Sequence, residues 1–144
     1  MGAAVSLTTR LRPILLSSSM PATELTRKAL EAGAICVVAV GGDGSLSEVV
    51  EGFFAAGSHE KVSETAMLAY LPSGTGGDFR KSLQWTSKYE DAVAAVLRGQ
   101  TRKVDIGHVL LGVGTACQRG RHFLNIASCG SSALIAQVLV CVHG

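Results

Sequence analysis

The sequence predicts an α/β fold, an open sheet with helices packed on its faces that ends in a β-hairpin region. Two apolar, strand-like runs at residues 35–40 and 67–71 each lead into a glycine-rich loop and then a helical pattern. The order strand, helix, strand, helix is that of a sheet covered by helices. Two further strand-like segments, 102–111 and 122–127, flank the loop 112–121 and suggest an antiparallel pair.

Taken in order, residues 14–16 suit a short strand, and residues 1–13 carry no assignable element. Residues 21–31 read as a helix with Leu25, Ala29 and Ala32 along one face, stopped by Gly33. Ile35-Cys36-Val37-Val38-Ala39-Val40 is short, continuously apolar and rich in β-branched residues, as expected of a strand buried on both faces. Cys36 within it reads as a small buried hydrophobe. Leu46, Val49, Val50, Phe53 and Phe54 then recur at helical spacing up to about Gly57. A polar connection, 58–65, precedes the next strand at 67–71. Residues 79–83 suit a helical turn. A clearer helix runs from 87 or 88 to 98, with Ala92, Val93, Val96 and Leu97 inward and Gly99 as its stop. Residues 131–142 suit a final helix. The domain is expected to span 14–144.

A chain of 144 residues with 47% hydrophobic and 17% charged residues fits one globular domain. A net charge of +2, with one Trp, two Tyr and four Phe, offers no basic stripe with interleaved aromatics, so no nucleic-acid partner is expected. Cys36, Cys117, Cys129 and Cys141 form no C-x-x-C pair, and His59, His108, His122 and His143 are scattered without ligand spacing. Neither a zinc site nor a disulfide framework is expected, and a reducing, cytoplasmic compartment is the default. The first 23 residues hold no acid and two arginines, a weak transit-like pattern, and Met1-Gly2 with Ser6 fits a myristoylation pattern. Both patterns also arise by accident. No apolar run reaches the roughly 20 residues of a transmembrane helix.

The chemistry lies in the two glycine loops. Gly41-Gly42-Asp43-Gly44-Ser45 joins a strand to a helix, a place where unpaired amides and the helix dipole favour an anion. Pro72-Ser73-Gly74-Thr75-Gly76-Gly77-Asp78 repeats that context after the next strand. If the two strands are parallel, both loops emerge at one carboxyl edge, where open α/β sheets bind ligands. Asp43 is the informative acid. A carboxylate beside phosphates needs a cation or a substrate proton between them, which suggests Mg²⁺ handling or general-base work. Capping a helix is the equal alternative. Neither G-x-x-x-x-G-K-[ST] nor a helix-opening G-x-G-x-x-G is present.

These loops, with Glu48-Val49-Val50 after the first and Phe79 after the second, resemble the diacylglycerol kinase catalytic-domain family. That family includes bacterial lipid kinases and sphingosine kinases, with NAD kinases as distant relatives. The resemblance extends over about 16–136, including Val104-Asp105-Ile106-Gly107 and residues 122–127. It implies an open Rossmann-like sheet and ATP-dependent, Mg²⁺-assisted phosphorylation of a lipid hydroxyl, on diacylglycerol or a sphingoid base. It implies that Gly41, Gly42, Gly44 and Ser45 cradle ATP phosphates and that Gly74 and Thr75 line the same cleft. Glu48 would support the first loop, and Asp43 would be the catalytic acid or base.

Three positions depart from the family pattern. Ser47 stands for the usual His, Glu51 for the usual Asn, and Arg80 for the usual Ala, where it offers a further phosphate contact. The family's initial strand with its Asn-Pro-x-x-G turn, and most of its following β-sandwich domain, are not found in this sequence. A fragment truncated at both ends is therefore expected, with its activity alone left open. An NAD kinase-like enzyme, and a non-catalytic nucleotide-binding fragment that associates with a complete kinase, are the alternatives.

Overall fold

The structure, a computed structural model, describes residues 20–73, 77–85, 88–116 and 118–127. The strand expected at 14–16, the helix expected at 131–142, and both Gly74 and Thr75 lie outside the described residues.

The elements run α1 (Ala22–Glu31), β1 (Cys36–Gly41), α2 (Asp43–Glu51), β2 (Met67–Pro72), α3 (Asp78–Ser82), α4 (Tyr89–Arg98), β3 (Gly107–Leu111) and β4 (Arg119–Phe123). The chain is a mixed α/β structure, as its sequence pattern requires. β1 and β2 pair in parallel, Cys36 with Met67 through Gly41 with Pro72, with α2 as their crossover. β3 and β4 pair antiparallel, Gly107 with Phe123 through Leu111 with Arg119. β4 thus begins three residues before the strand expected at 122–127, because the pairing register carries the ladder back to Arg119. Among the described residues, no helix is long and apolar enough to cross a membrane.

Parallel pairing puts Val37 and Ala39 on the same face as Leu68 and Tyr70, and α2 packs there. Ala39, Leu46, Val49, Val50, Tyr70 and Phe79 form the centre of the core, joined by Ala22 and Phe54. Leu46 and Val50 are almost fully buried, each contributing about 1.5–3 kcal/mol. α2 itself stops at Glu51, so Phe53 and Phe54 lie in the turn beyond it. Phe54 is nonetheless buried, and it bridges to Lys61 across the connection.

Burial of β1 on both faces is not what the structure shows. Cys36 is exposed, and Val40 keeps 53% of its surface in solvent. Among the described residues β1 pairs with β2 alone, and only the face carrying Val37 and Ala39 meets the core. In α4, Ala92 is buried and Val93 and Val96 are half-buried, but Leu97, expected inward, is 65% exposed.

The buried face of α1 also differs from expectation. It consists of Ala22, Thr26 and Leu30, with Leu25 and Ala29 half-buried and Ala32 exposed. The cause is a close approach at Gly52, where a Cβ would lie 2.5 Å from Thr26 Cβ and 2.6 Å from the Thr23 carbonyl oxygen. The Thr23 oxygen belongs to the backbone and cannot swing away. Gly52→Ala is therefore expected to lower stability by about 1–3 kcal/mol, read as a lower urea midpoint at unchanged slope. The stop of α1 is as expected: Gly33 N–H donates to Leu30 O and Ala34 N–H to Ala29 O, the paired bonds of a glycine-ended helix.

The histidines are not scattered in space. His108 and His122 face each other across β3 and β4, and His59 of the 52–66 connection sits edge-on to both rings. Burial, then the neighbouring His59 and His122, lowers His108 below its ordinary value of 6.5, with Glu51 opposing.

Candidate functional site

β1 and β2 run parallel, so the loops that follow them leave the sheet at one edge. Gly41 ends β1, Gly42 is the N-cap of α2, and Asp43, Gly44 and Ser45 form its first turn. Gly42 has no side chain with which to cap α2, whose first amides form the positive end of the helix dipole. Gly41 has φ +153°, and a Cβ there would meet Ser45 Cβ and Oγ at 2.8 Å, so the turn admits no side chain.

Three contacts lock the two loops together. Ser73 N–H donates to Gly41 O at 2.9 Å, continuing the ladder past β2. Tyr70 Oη donates to the same carbonyl at 3.2 Å. The third is the most informative: Asp43 Oδ2 accepts Asp78 N–H at 2.9 Å, and Oδ1 accepts Phe79 N–H at 3.4 Å. Those are the first two amides of α3, whose own N-cap, Gly77, supplies no side-chain bond. Asp43 thus caps the helix of the other loop, where the capping alternative has it accept local amides of its own helix. A five-residue helix cannot hold itself together, so its position depends on Asp43.

Around this junction lies a pocket of about 180 Å³, lined by Asp43, Leu46, Ser47, Asp78, Phe79 and residues 123–126. Its lining combines two carboxylates, Asp43 and Asp78, with apolar Leu46, Phe79, Phe123 and Leu124. Asp78 pairs with Lys81 at 2.8 Å, and Ser82 Oγ donates to Asn125 Oδ1 at 3.2 Å, tying α3 to the segment after β4.

Glu48 lies elsewhere than the first loop. Its Oε2 accepts Ala22 N–H at 3.3 Å, and its carbonyl accepts Thr23 Oγ1 at 2.9 Å, so it fastens α2 to the start of α1. Arg80 turns back, donating from Nη1 to Trp85 O at 3.2 Å, with Nε lying over Gly77. Glu51 accepts both His122 N–H at 2.8 Å and a contact from His122 Nδ1 at 3.2 Å, joining α2 to β4.

Tyr70 and Asn125 were not singled out from sequence. A tyrosine in an otherwise apolar strand was the available signal, since a buried phenol needs a partner. Burial first, and then the Asp43 carboxylate, pushes the Tyr70 phenol above 10.0, with Arg80 opposing, so it stays a donor through neutral and mildly alkaline pH. Tyr70→Phe is expected to cost about 0.5–1.5 kcal/mol, measured by thermal unfolding at pH 7. Because the folded phenol holds its proton above the unfolded value, this contribution is lost as pH rises past about 10.

Comparison with known proteins gives the family. Residues 6–109 match the diacylglycerol kinase catalytic domain, and the chain belongs to that family. It is 34% identical over 109 residues to a diacylglycerol kinase of Staphylococcus epidermidis, covering 76% of this chain and 30% of that protein. It is 34% identical over 111 residues to a probable lipid kinase YegS-like of Chromohalobacter salexigens, covering 77% of this chain and 32% of that protein. A diacylglycerol kinase of Staphylococcus aureus is 32% identical over 94 residues. The chain spans about a third of the length of the first of these relatives.

Proposed function

We propose that this chain is the nucleotide-binding part of a lipid kinase, in an open Rossmann-like arrangement over residues 14–144, which transfers the γ-phosphoryl group of ATP to a diacylglycerol or sphingoid-base hydroxyl. The observation that carries the reading is Asp43, whose carboxylate joins the two glycine loops beside an uncapped helix N-terminus.

The residues present fit Mg·ATP. The turn 41–45 leaves room for an anion to approach backbone amides, and two carboxylates stand close enough to the junction to balance a cation. Mg·ATP supplies the phosphoryl group and charge neutralisation. Gly41, Gly42, Gly44 and Ser45 bind phosphate oxygens through the first turn of α2. Gly74 and Thr75 are assigned to the same cleft by family pattern. Asp43 spends two acceptor positions on Asp78 and Phe79, and a carboxylate has about four. Those remaining hold the substrate hydroxyl proton or the cation. Glu48 braces α2 from behind.

The relatives named diacylglycerol kinase and lipid kinase support a lipid alcohol over a dinucleotide as acceptor. Apolar Leu46, Phe79, Phe123 and Leu124 line the pocket together with the two acids. The test is γ-phosphate transfer by the chain to diacylglycerol or sphingosine in mixed micelles, with NAD as competitor acceptor. Transfer to lipid supports the reading. Transfer to NAD alone replaces it with the NAD kinase alternative. Mg·ATP binding without transfer assigns the chain a non-catalytic role beside a complete kinase.

A further inference from the structure

We propose that His59, His108 and His122 form a binding site for one borderline divalent cation, zinc by preference, apart from the glycine loops. Their ligand nitrogens all lie within 4.8 Å of one another, although the residues come from the 52–66 connection, β3 and β4. His108 and His122 are register partners, with ring centroids 4.7 Å apart, and the His59 ring stands 3.9 Å from that of His108.

A second, independent observation points to a ligand. His122 has only 5% of its side chain exposed, and among the described residues its Nε2 is the buried side-chain atom without a hydrogen-bond partner. Buried polar atoms are rarely left so, and an ion is one of the few explanations. Its other nitrogen is accounted for: Nδ1 faces Glu51 Oε2 at 3.2 Å, and the ring stacks on Phe54 at 3.7 Å, nearly parallel to it. A carboxylate at Nδ1 holds the proton there and leaves Nε2 as a bare lone pair. That carboxylate–histidine arrangement is how proteins orient a metal-bound imidazole.

The donor set also selects the cation. Three neutral imidazoles suit zinc, or copper and nickel, and not the oxygen-seeking Mg²⁺. Tetrahedral zinc with nitrogens at 2.0–2.1 Å needs them roughly 3.3 Å apart, so the cluster has to tighten. The exposed His59 supplies that movement while His108 and His122 stay fixed on the hairpin. Gly120 leaves His108 its place, since a Cβ there would overlap the ring. A bound ion would clasp the 52–66 connection to the hairpin and, through Glu51, to the last turn of α2. The fourth position is left to water.

The test starts with the full chain stripped of metal and titrated with Zn²⁺ against a chromophoric chelator. Co²⁺ serves as the spectroscopic probe. One equivalent is expected to bind, with Co²⁺ giving the visible absorption of a four-coordinate site. His59→Ala, at an exposed position, is expected to weaken binding at least tenfold. Glu51→Gln, which removes the orienting charge but keeps an amide oxygen able to accept the His122 N–H, is expected to weaken it about 10–100-fold. Either of two results overturns the proposal: no stoichiometric binding by the parent chain, or parent affinity retained in both His59→Ala and His108→Ala, which would place the ion elsewhere.

Discussion

Asp43→Ala is expected to separate the two glycine loops and lower Mg·ATP affinity more than tenfold. The substitution removes both bonds from the Asp43 carboxylate to the first amides of α3. Bonds to a charged acceptor contribute about 1.5–3 kcal/mol each, and the longer one is the weaker, so a stability loss of about 2–3 kcal/mol follows. Asp43→Asn should fall between, because an amide keeps one acceptor oxygen and turns an NH₂ toward the second N–H. If Asp43 served only the dipole of its own helix, either change would cost at most about 1 kcal/mol. Chemical denaturation and calorimetry with Mg·ATP, run on both variants, separate the two cases.

Gly41→Ala is the second large effect. The new methyl would sit 2.8 Å from both Ser45 Cβ and Ser45 Oγ, at a φ of +153° that side chains rarely adopt. Strain and overpacking together are expected to cost about 1–3 kcal/mol and to displace the first turn of α2, taking Mg·ATP affinity with it. Ser45→Gly in the same chain should return the steric share of the loss but not the backbone share. A double-mutant cycle with a coupling above about 0.5 kcal/mol would confirm that the two side chains compete for one space.

Much of the fold was legible in the sequence because the signals were local. Gly33 and Gly99 stop their helices in left-handed geometry. The apolar runs 35–40 and 67–71 became paired parallel strands, and the glycine loops after them share an edge. What escaped was long-range. Nothing near α3 announces that its cap comes from Asp43, 35 residues earlier. The histidines show no ligand spacing because antiparallel pairing, not sequence distance, sets His108 opposite His122. Likewise Thr26, a polar residue, was passed over for the buried stripe of α1, although Gly52 gives it a close fit. The outward side of β1, with Val40 exposed, was hidden because an apolar run looks the same whether one face or two are covered.

Glu51 shows how a departure from a family pattern acquires meaning once placed. As a residue in a motif it is only a replacement for Asn. In the structure its carboxylate receives both the backbone N–H and the ring of His122, and so connects the helix after the first glycine loop to the hairpin. The pocket residues after β4, Asn125 among them, reach α3 over the same packing.

The most direct measurement is an amide NMR titration of the ¹⁵N-labelled chain with Mg·ATP, following residues 41–45 and 77–79 together. A nucleotide held by both turns should shift the two sets along one saturation curve. Shifts confined to one set, or to neither, would contradict a shared triphosphate site.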